Sequence, residues 1–200
     1  MENVKNLIGP SHKKNFLLFL NFLENAGYKN FYAVLNARDF GVPQNRERVF
    51  CVSVRDKSFE YEFPKPVPLV THLYDLLEQN PDERYYLKNN QYLDKPIDAD
   101  FSYCLDCSYW KGTTLSDYFK RHRRQIVTDK KNKDNRYIPR RLTPLEAFRL
   151  MGVSDTDFYK AASVVSNTSL YKQAGNSIVV PVLEAIFKKL FADRVAMATK

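Results

Sequence analysis

One stretch of the sequence, residues 80–139, constrains the fold more than any other because it carries no sustained hydrophobic period. It is polar, basic and rich in tyrosine, whereas the residues on both sides alternate or repeat as strands and helices do. A long aperiodic segment inside a compact domain usually has a function of its own. We therefore predict a separate small domain with irregular β structure here.

The residues before this stretch predict a helix, a strand, a loop and a second strand. Ser11 can cap a helix with an apolar face, and Gly27 is a natural end for it. NFYAVLNA at 30–37 is typical of a buried strand, and RVFCVSVR at 48–55 alternates with a period of two. The proline-rich EFPKPVPL indicates a linker, and THLYDLLEQ after it predicts a short amphipathic helix.

Regular structure returns at RRLTPLEAFRLMG, residues 140–152. Thr143 is the predicted N-cap of a helix, and Glu146 completes a capping box. Pro144 suits the first helical position, and Gly152 ends the helix. Two further helices are predicted, around SLYKQA and at PVLEAIFKKLFAD, with a Gly-Asn-Ser segment between them.

The basic charge of the chain is concentrated in one segment. The net charge is +8, from 31 basic and 23 acidic residues. Between Lys111 and Arg141, eleven basic residues face three acidic ones, so this segment holds an excess equal to that of the whole chain. A local excess of this kind favours a polyanionic partner such as nucleic acid, because phosphate contacts release condensed counterions. A solvated, charged loop is the alternative.

Several function classes are excluded by composition. No apolar run is long enough to span a membrane, and the N-terminus lacks a secretory layout, so we predict no membrane partner. Three cysteines, Cys51, Cys104 and Cys107, suit a reducing compartment better than a disulfide framework. Cys104 and Cys107 form a C-x-x-C without a second pair or a nearby histidine, so we predict no metal site.

Three short motifs could carry chemistry, although each has an ordinary structural explanation. Arg46 and Arg48 are two residues apart at the start of a strand and point to the same side, where their guanidinium groups could bind a phosphate or a carbonyl oxygen. A surface Arg-Glu-Arg ladder explains them too. Glu2 could exchange a proton or remain solvated, and the Gly-Asn-Ser at 175–177 could bind an anion or form a turn.

The joint order of these motifs resembles the second half of bacterial cytosine-5 DNA methyltransferases. The blocks are ENV at 2–4, FGVPQNRERVF at 40–50, RRLTPLEAFRLMG at 140–152 and YKQAGNSIVVPVLEAI at 171–186. In that family, a variable target-recognition domain separates the second block from the third. The basic segment lies in that place, and CLDCSYWKG within it resembles a small-aromatic-Lys-Gly stretch that is frequent there.

The resemblance implies a fold and a division of the chain. The fold would be the rear half of a doubly wound, S-adenosylmethionine-dependent α/β methyltransferase domain with a small β-rich target-recognition domain inserted. Residues 1–68 would hold strands and a helix of the catalytic domain, 69–139 the recognition domain, and 140–200 a helical return to the catalytic domain. Half of such a sheet would expose an apolar edge, so we expect dimerisation, poor solubility or an obligate partner.

The resemblance also implies roles for individual residues. Glu2 would hold N3 and the amine of a flipped cytosine, Arg48 its O2 or a nearby phosphate, and Arg46 would support Arg48. Asn176 and Ser177 would lie near the methionine end of S-adenosylmethionine. A set of basic residues would contact double-stranded DNA: Lys111, Lys120, Arg121, Arg123, Arg124, Lys130, Lys131 and Arg136. Five others would brace the recognition domain: Arg140, Arg141, Thr143, Glu146 and Arg149.

The sequence departs from the family by lacking two blocks of its first half. It has no Gly-rich cofactor loop and no cysteine after a proline, so we expect this chain alone to transfer no methyl groups and to form only part of the cofactor site. If the chain is the smaller subunit of a split enzyme, a complementary chain would supply both blocks, in the bacterial cytoplasm at the nucleoid; a truncated gene product is the alternative. The alternatives are a non-catalytic, sequence-specific DNA-binding module and an RNA-modifying relative.

Overall fold

A three-stranded sheet forms the N-terminal part of the protein in the computed structural model, which describes residues 1–88 and 91–191. Its strands are β1 (Glu2–Val4), β2 (Lys29–Asn36) and β4 (Glu47–Val54). Strand β4 lies in the middle and is antiparallel to both neighbours, so both predicted strands are confirmed. The alternation along β4 separates its two faces: Val49 and Cys51 pack against the first helix, while Phe50 belongs to the main core.

Helix α1 (Lys13–Asn25) covers one face of this sheet through Phe16 and Leu20. The predicted cap at Ser11 is wrong, because the helix begins after His12 and no side chain caps it. The predicted end at Gly27 is confirmed: its φ of +89° is a left-handed conformation that favours glycine, and the amide of Tyr28 donates to the carbonyl of Leu23.

The chain then crosses the molecule with little regular structure. The helix predicted at THLYDLLEQ is wrong, because only a four-residue 3-10 turn forms there (Leu73–Leu76). Tertiary hydrogen bonds replace the helical ones at its end: the carbonyl of Leu76 accepts from Arg149 at 2.9 Å, and the amide of Glu78 donates to Glu146 at 2.8 Å.

The middle of the chain contains the irregular β structure that the sequence predicts. A short strand, β3 (Gln44–Asn45), pairs in parallel with β5 (Ser102–Tyr103) and ties this region to the N-terminal part. Helix α2 (Leu115–Phe119) follows, and then an antiparallel hairpin of β6 (Ile126–Lys131) and β7 (Tyr137–Arg141). The domain boundary expected between 139 and 140 therefore lies within β7.

Four helices complete the described part of the chain: α3 (Pro144–Arg149), α4 (Asp155–Ala162), α5 (Asn167–Asn176) and α6 (Val180–Leu190). The capping box of α3 is confirmed, since the side chains of Thr143 and Glu146 each accept from the other's amide. Helices α5 and α6 are confirmed too, although the end of PVLEAIFKKLFAD lies outside the described residues, and α4 was not predicted. Among residues 1–88 and 91–191, no helix is long and apolar enough to cross a membrane.

One hydrophobic cluster runs through all of these parts. Phe40 from the N-terminal part, Leu105 and Val127 from the middle, and Leu142 and Leu170 from the C-terminal part are buried in it together. The polar segments at 40–48, 102–108 and 174–177 meet beside this cluster, and they form the candidate site.

Candidate functional site

Strands β1 and β4 bring Glu2 and Arg48 together. Glu2 pairs with Phe50 and Val4 pairs with Arg48, so Glu2 and Arg48 are diagonal neighbours on one face of the sheet. Arg48 Nε lies 3.1 Å from Glu2 Oε1, and the two side chains are only 17% and 18% exposed. The second carboxylate oxygen of Glu2 has no hydrogen-bond partner among the described residues. The pair thus offers an anionic acceptor beside a fixed cation.

The guanidinium of Arg48 is held at three points. Besides the ion pair with Glu2, Nη1 donates to the carbonyl of Glu47 at 2.8 Å and Nη2 lies 3.6 Å from the sulfur of Cys104. A guanidinium carries five N–H donors, so these contacts leave two for a ligand. Cys104 was not predicted to take part, and only the fold brings it across from a segment 56 residues away.

Arg46 faces the protein interior and joins three segments. It is 3% exposed, and its terminal nitrogens donate to the carbonyls of Leu105 at 2.8 Å, Gly175 at 3.0 Å and Ser177 at 2.9 Å. Burial lowers the pKa of Arg46 below its usual value, and the neighbouring Cys104 opposes that effect. Nη1 also lies 3.5 Å from the sulfur of Cys104, so the guanidinium of Arg46 binds the backbone of the 105 and 175–177 segments and contacts the same thiol as Arg48.

Gln44 makes a second connection between the same regions. It is fully buried, its amide nitrogen donates to the carbonyl of Leu150 at 2.6 Å, and its amide oxygen accepts from Leu105 at 3.1 Å. Gln44 accepts from the backbone amide of Leu105 and Arg46 donates to its carbonyl, so both backbone polar groups of Leu105 are bound. The segment that carries Cys104 is therefore held rigidly against Arg48.

Asn176 and Ser177 lie at the end of α5, as its last residue and its C-cap. The free amides of a helix start are therefore not presented there, and the roles expected of these two residues near S-adenosylmethionine stay predictions. Ser177 Oγ donates to the carbonyl of Gln173 at 2.7 Å. Asn176 is exposed and makes no side-chain hydrogen bond with the described residues, so its amide is available to a ligand.

An apolar cavity of about 310 Å³ opens next to Glu2. Phe50, Ile178, Leu183 and Ile186 contribute to its walls. These apolar walls suit the apolar part of a ligand, and Asn176 lies two residues before the lining residue Ile178 along the chain.

The residues expected to brace the middle region form a buried ion network. Arg140 and Glu146 are both fully buried and meet through two hydrogen bonds of 2.8 and 2.7 Å, and Arg140 Nε also donates to Asp129. Burial alone would lower the pKa of Arg140, but the two carboxylates raise it. Thr143 Oγ1 donates to Glu78, which ties the network to the crossing segment.

Two further arginines predicted to brace this region also contact it. Arg149 donates to both carboxylate oxygens of Asp155, at 2.8 and 2.6 Å, as well as to Leu76. The guanidinium of Arg141 lies 5.4 Å from the ring centre of Tyr85 and 5.9 Å from that of Tyr171.

The predicted basic surface is largely exposed, with one exception. Arg124 is half-buried: Nη1 donates to the carbonyl of Gly112, and Nη2 donates to Ser108 Oγ at 3.0 Å. The remaining residues of the predicted set are exposed: Lys111, Lys120, Arg121, Arg123, Lys130, Lys131 and Arg136. Exposed cations therefore occur along the chain from Lys111 to the hairpin, and Arg121, Lys130 and Arg136 among them each pair with a carboxylate.

The fold is similar to that of solved methyltransferases. A crystal structure of the Schizosaccharomyces pombe Dnmt2 methyltransferase superposes with a TM-score of 0.71 at 19% identity, covering 96% of this chain and 66% of that one. The Entamoeba histolytica methyltransferase EhMeth gives a TM-score of 0.68 at 20% identity, covering 96% of this chain and 62% of that one.

The chain belongs to the C-5 cytosine-specific DNA methylase family, whose model matches residues 1–192. It is 58% identical over 194 residues to the type II methyltransferase M2.ScrFI of Lactococcus lactis subsp. cremoris, covering 97% of this chain and 54% of the relative. It is 35% identical to M.SsoII of Shigella sonnei, covering 96% of this chain and 52% of that relative. The chain thus spans about half the length of these curated relatives.

Proposed function

We propose that this chain supplies the base-binding and target-recognition part of a DNA (cytosine-5) methyltransferase, with part of its S-adenosylmethionine site. The observation that carries the proposal is the Glu2–Arg48 pair, which lies beside an apolar cavity and within reach of the basic segment. The proposed setting is a bacterial restriction–modification system acting on cytoplasmic DNA at the nucleoid, and the similarity to type II methyltransferases supports it.

The pair matches the hydrogen-bonding edge of cytosine. That edge carries an amino group, the ring nitrogen N3 and the carbonyl oxygen O2, and it is accessible only when the base leaves the stack. The free oxygen of ionised Glu2 would accept a hydrogen bond from the amino group, and after taking up a proton from solvent the carboxyl group would donate that proton to N3. The two free N–H groups of Arg48 would donate to O2, stabilising negative charge that develops on the ring.

S-adenosylmethionine would supply the methyl group, and this chain would hold only part of it. The amide of Asn176 and the apolar wall at Ile178 are the groups that fit. The chain's other contribution would be to exclude water, since the apolar side chains of Phe50 and Leu183 line the same cavity as Glu2.

The nucleophilic cysteine is proposed to come from a complementary segment. Cys51 is buried between α1 and the sheet, and none of the three cysteines follows a proline. The relatives are about twice as long as the match, which leaves room in them for the missing blocks.

Complementation tests the proposal. The purified chain is assayed with labelled S-adenosylmethionine and duplex DNA, alone and mixed with the unmatched segment of the Lactococcus lactis relative. We expect no transfer from the chain alone and transfer from the mixture. Turnover by the chain alone, or a mixture that stays inactive while both parts are folded and associated, would contradict the proposal.

A non-catalytic DNA-binding module is the second candidate, favoured by a basic surface that lies wholly within this chain. It predicts duplex binding without cofactor, with an affinity that falls steeply as salt rises. Competition between duplex DNA and structured RNA then distinguishes a DNA-directed protein from an RNA-modifying one.

A further inference from the structure

The loop that follows helix α2 holds two non-glycine residues in left-handed backbone conformations. In this tip loop, Lys120–Arg124, His122 has a φ of +49° and Arg124 a φ of +56°. Such conformations are unfavourable for residues with a β-carbon and persist only where the surrounding structure imposes them. The tip loop is therefore held in a set shape.

The side chains of Asp117 and Arg124 stabilise this conformation of the tip loop. The carboxylate of Asp117, which is 6% exposed, lies 3.1 Å from Arg121 Nη1 and 4.0 Å from Arg123 Nε, and its carbonyl accepts from the amide of Arg123 at 3.0 Å. Burial alone would raise the pKa of Asp117, but hydrogen bonds from Thr114 and Arg121 lower it, so the brace stays charged. Arg124 anchors the far end through its two internal hydrogen bonds.

His122 is exposed but its ring is oriented. Its Nδ1 lies 3.2 Å from the hydroxyl of Tyr103, and the ring of Tyr103 contacts that of Tyr118 at 5.2 Å between centres. Among the described residues, Nε2 of His122 has no partner. One ring nitrogen is thus fixed, and the other is presented as a single donor or acceptor of set direction.

The tip loop is connected to the proposed base-binding pair through Tyr103 and Cys104. Tyr103, which holds His122, pairs with Asn45 in the β3–β5 ladder. The next residue, Cys104, contacts Arg48. Two contacts therefore connect His122 to the guanidinium that would hold the target cytosine.

We propose that the tip loop is a preformed element that reads DNA sequence beside the target cytosine, with His122 as the residue that contacts a base. Arg121 and Arg123 would bind phosphates on either side, and Arg124 would serve as a brace. A phosphate contact sets the register of a protein on DNA, whereas a directed hydrogen bond to a base edge distinguishes sequences. This inference rests on the proposed function. It assigns different roles to His122, Arg123 and Arg124, which a count of basic residues does not distinguish.

Selection from a random duplex library tests the proposal. Duplexes that bind the purified chain are separated from unbound ones and sequenced. The same selection is carried out with four variants: His122→Ala, His122→Gly, Tyr103→Phe and Arg123→Ala. We expect the wild-type motif to lose its preference at one base pair in both His122 variants. Tyr103→Phe should weaken the same preference, because the imidazole ring of His122 loses its hydrogen-bond partner but remains in place. Arg123→Ala should instead lower the amount of bound duplex equally for all sequences.

Two measurements separate the reading role from a structural one. His122→Gly should melt at a higher temperature than His122→Ala, since glycine adopts a positive φ freely, yet both should lose the same preference. Lys133→Ala, at an exposed basic residue of the hairpin, is the matched control and should keep the motif. A wild-type motif that is unchanged in His122→Ala overturns this inference alone. A wild-type chain that enriches no motif, or that retains no duplex at all, overturns the proposed function.

Discussion

A β-carbon on Gly175 would lie 2.3 Å from the amide nitrogen of Cys107, so these two residues meet backbone to backbone. The contact seats the end of helix α5 directly on the segment that carries Cys104. The available amide of Asn176 and the sulfur beside Arg48 are thereby placed with respect to each other by main-chain packing.

Replacing Gly175 should therefore destabilise the protein strongly. Gly175→Ala forces two backbones apart, which should lower the free energy of unfolding by about 3 kcal/mol. Chemical denaturation measures this loss. Gln173→Ala, at an exposed residue of the same helix, is the control and should change the stability by less than about 0.5 kcal/mol. Equal stabilities of the two variants would show that the contact is not tight.

The buried pair of Arg140 and Glu146 should behave as a unit. Arg140→Met leaves Glu146 buried without its cation and should cost about 3–5 kcal/mol of unfolding free energy. The double variant with Glu146→Leu should cost less than the sum of the single changes, because neither charge is then left unpaired. Urea denaturation of the four proteins gives the coupling, and strict additivity would contradict it.

Stability should depend on pH through Asp155. Hydrogen bonds from Arg149 lower the pKa of Asp155 below its ordinary value, so its contribution is present above the unfolded pKa and is lost as pH falls through the folded one. Asp155→Asn should thus reduce stability at pH 7, by no more than about 1 kcal/mol at this partly exposed site, and make little difference near pH 2. Unfolding curves across this range provide the test, with Glu62→Gln as a control that should follow the wild type.

The base-binding roles can be measured in the complemented enzyme. Glu2→Gln should reduce methyl transfer by roughly 10²–10⁴-fold, since a group that exchanges a proton in the reaction contributes about that much. Arg48→Lys should also impair it, because an ammonium cannot contact Glu2, Cys104 and a base together. Lys5→Ala, an exposed neighbour that pairs with Glu47, should stay within about twofold. A Glu2→Gln enzyme of near-normal rate would remove Glu2 from the mechanism.

Salt titrations should separate phosphate contacts from braces. Arg121→Ala with Arg123→Ala should reduce the slope of log affinity against log salt by about 2, because each arginine neutralises one phosphate. Arg124→Ala should instead lower the melting temperature and change the slope less. Lys160→Ala, on helix α4, is the control for loss of charge elsewhere. An equal slope in all variants would place the DNA on another surface.

Local sequence patterns predicted the elements that depend on near neighbours. Strands β2 and β4 and the capping box of α3 are confirmed because alternation and the Thr143–Glu146 spacing act within a few residues. The helix predicted at THLYDLLEQ failed because Arg149 and Glu146, far along the chain, bind its backbone groups.

In the candidate site too, some contacts were predicted from the sequence and others were not. The order of the four blocks predicted that Glu2, Arg46 and Arg48 act together, and the sheet register explains how Glu2 and Arg48 meet. The contact between Cys104 and Arg48 was not predicted, because it depends on the parallel pairing of β3 with β5. Strands of two residues are too short to produce a recognisable sequence pattern. His122 was not included among the predicted DNA-binding residues either, because those residues were chosen by their positive charge.

The hydrogen bonds of Arg46 limit how target specificity can be exchanged between relatives. A transplanted recognition segment would keep its new base contacts only if it placed a carbonyl where Leu105 has one, because Arg46 binds that carbonyl and those of Gly175 and Ser177 at once. Chimaeras joined outside residues 102–108 should therefore inherit specificity intact, while junctions that displace the carbonyl of Leu105 should leave Nη1 of the buried Arg46 without that acceptor.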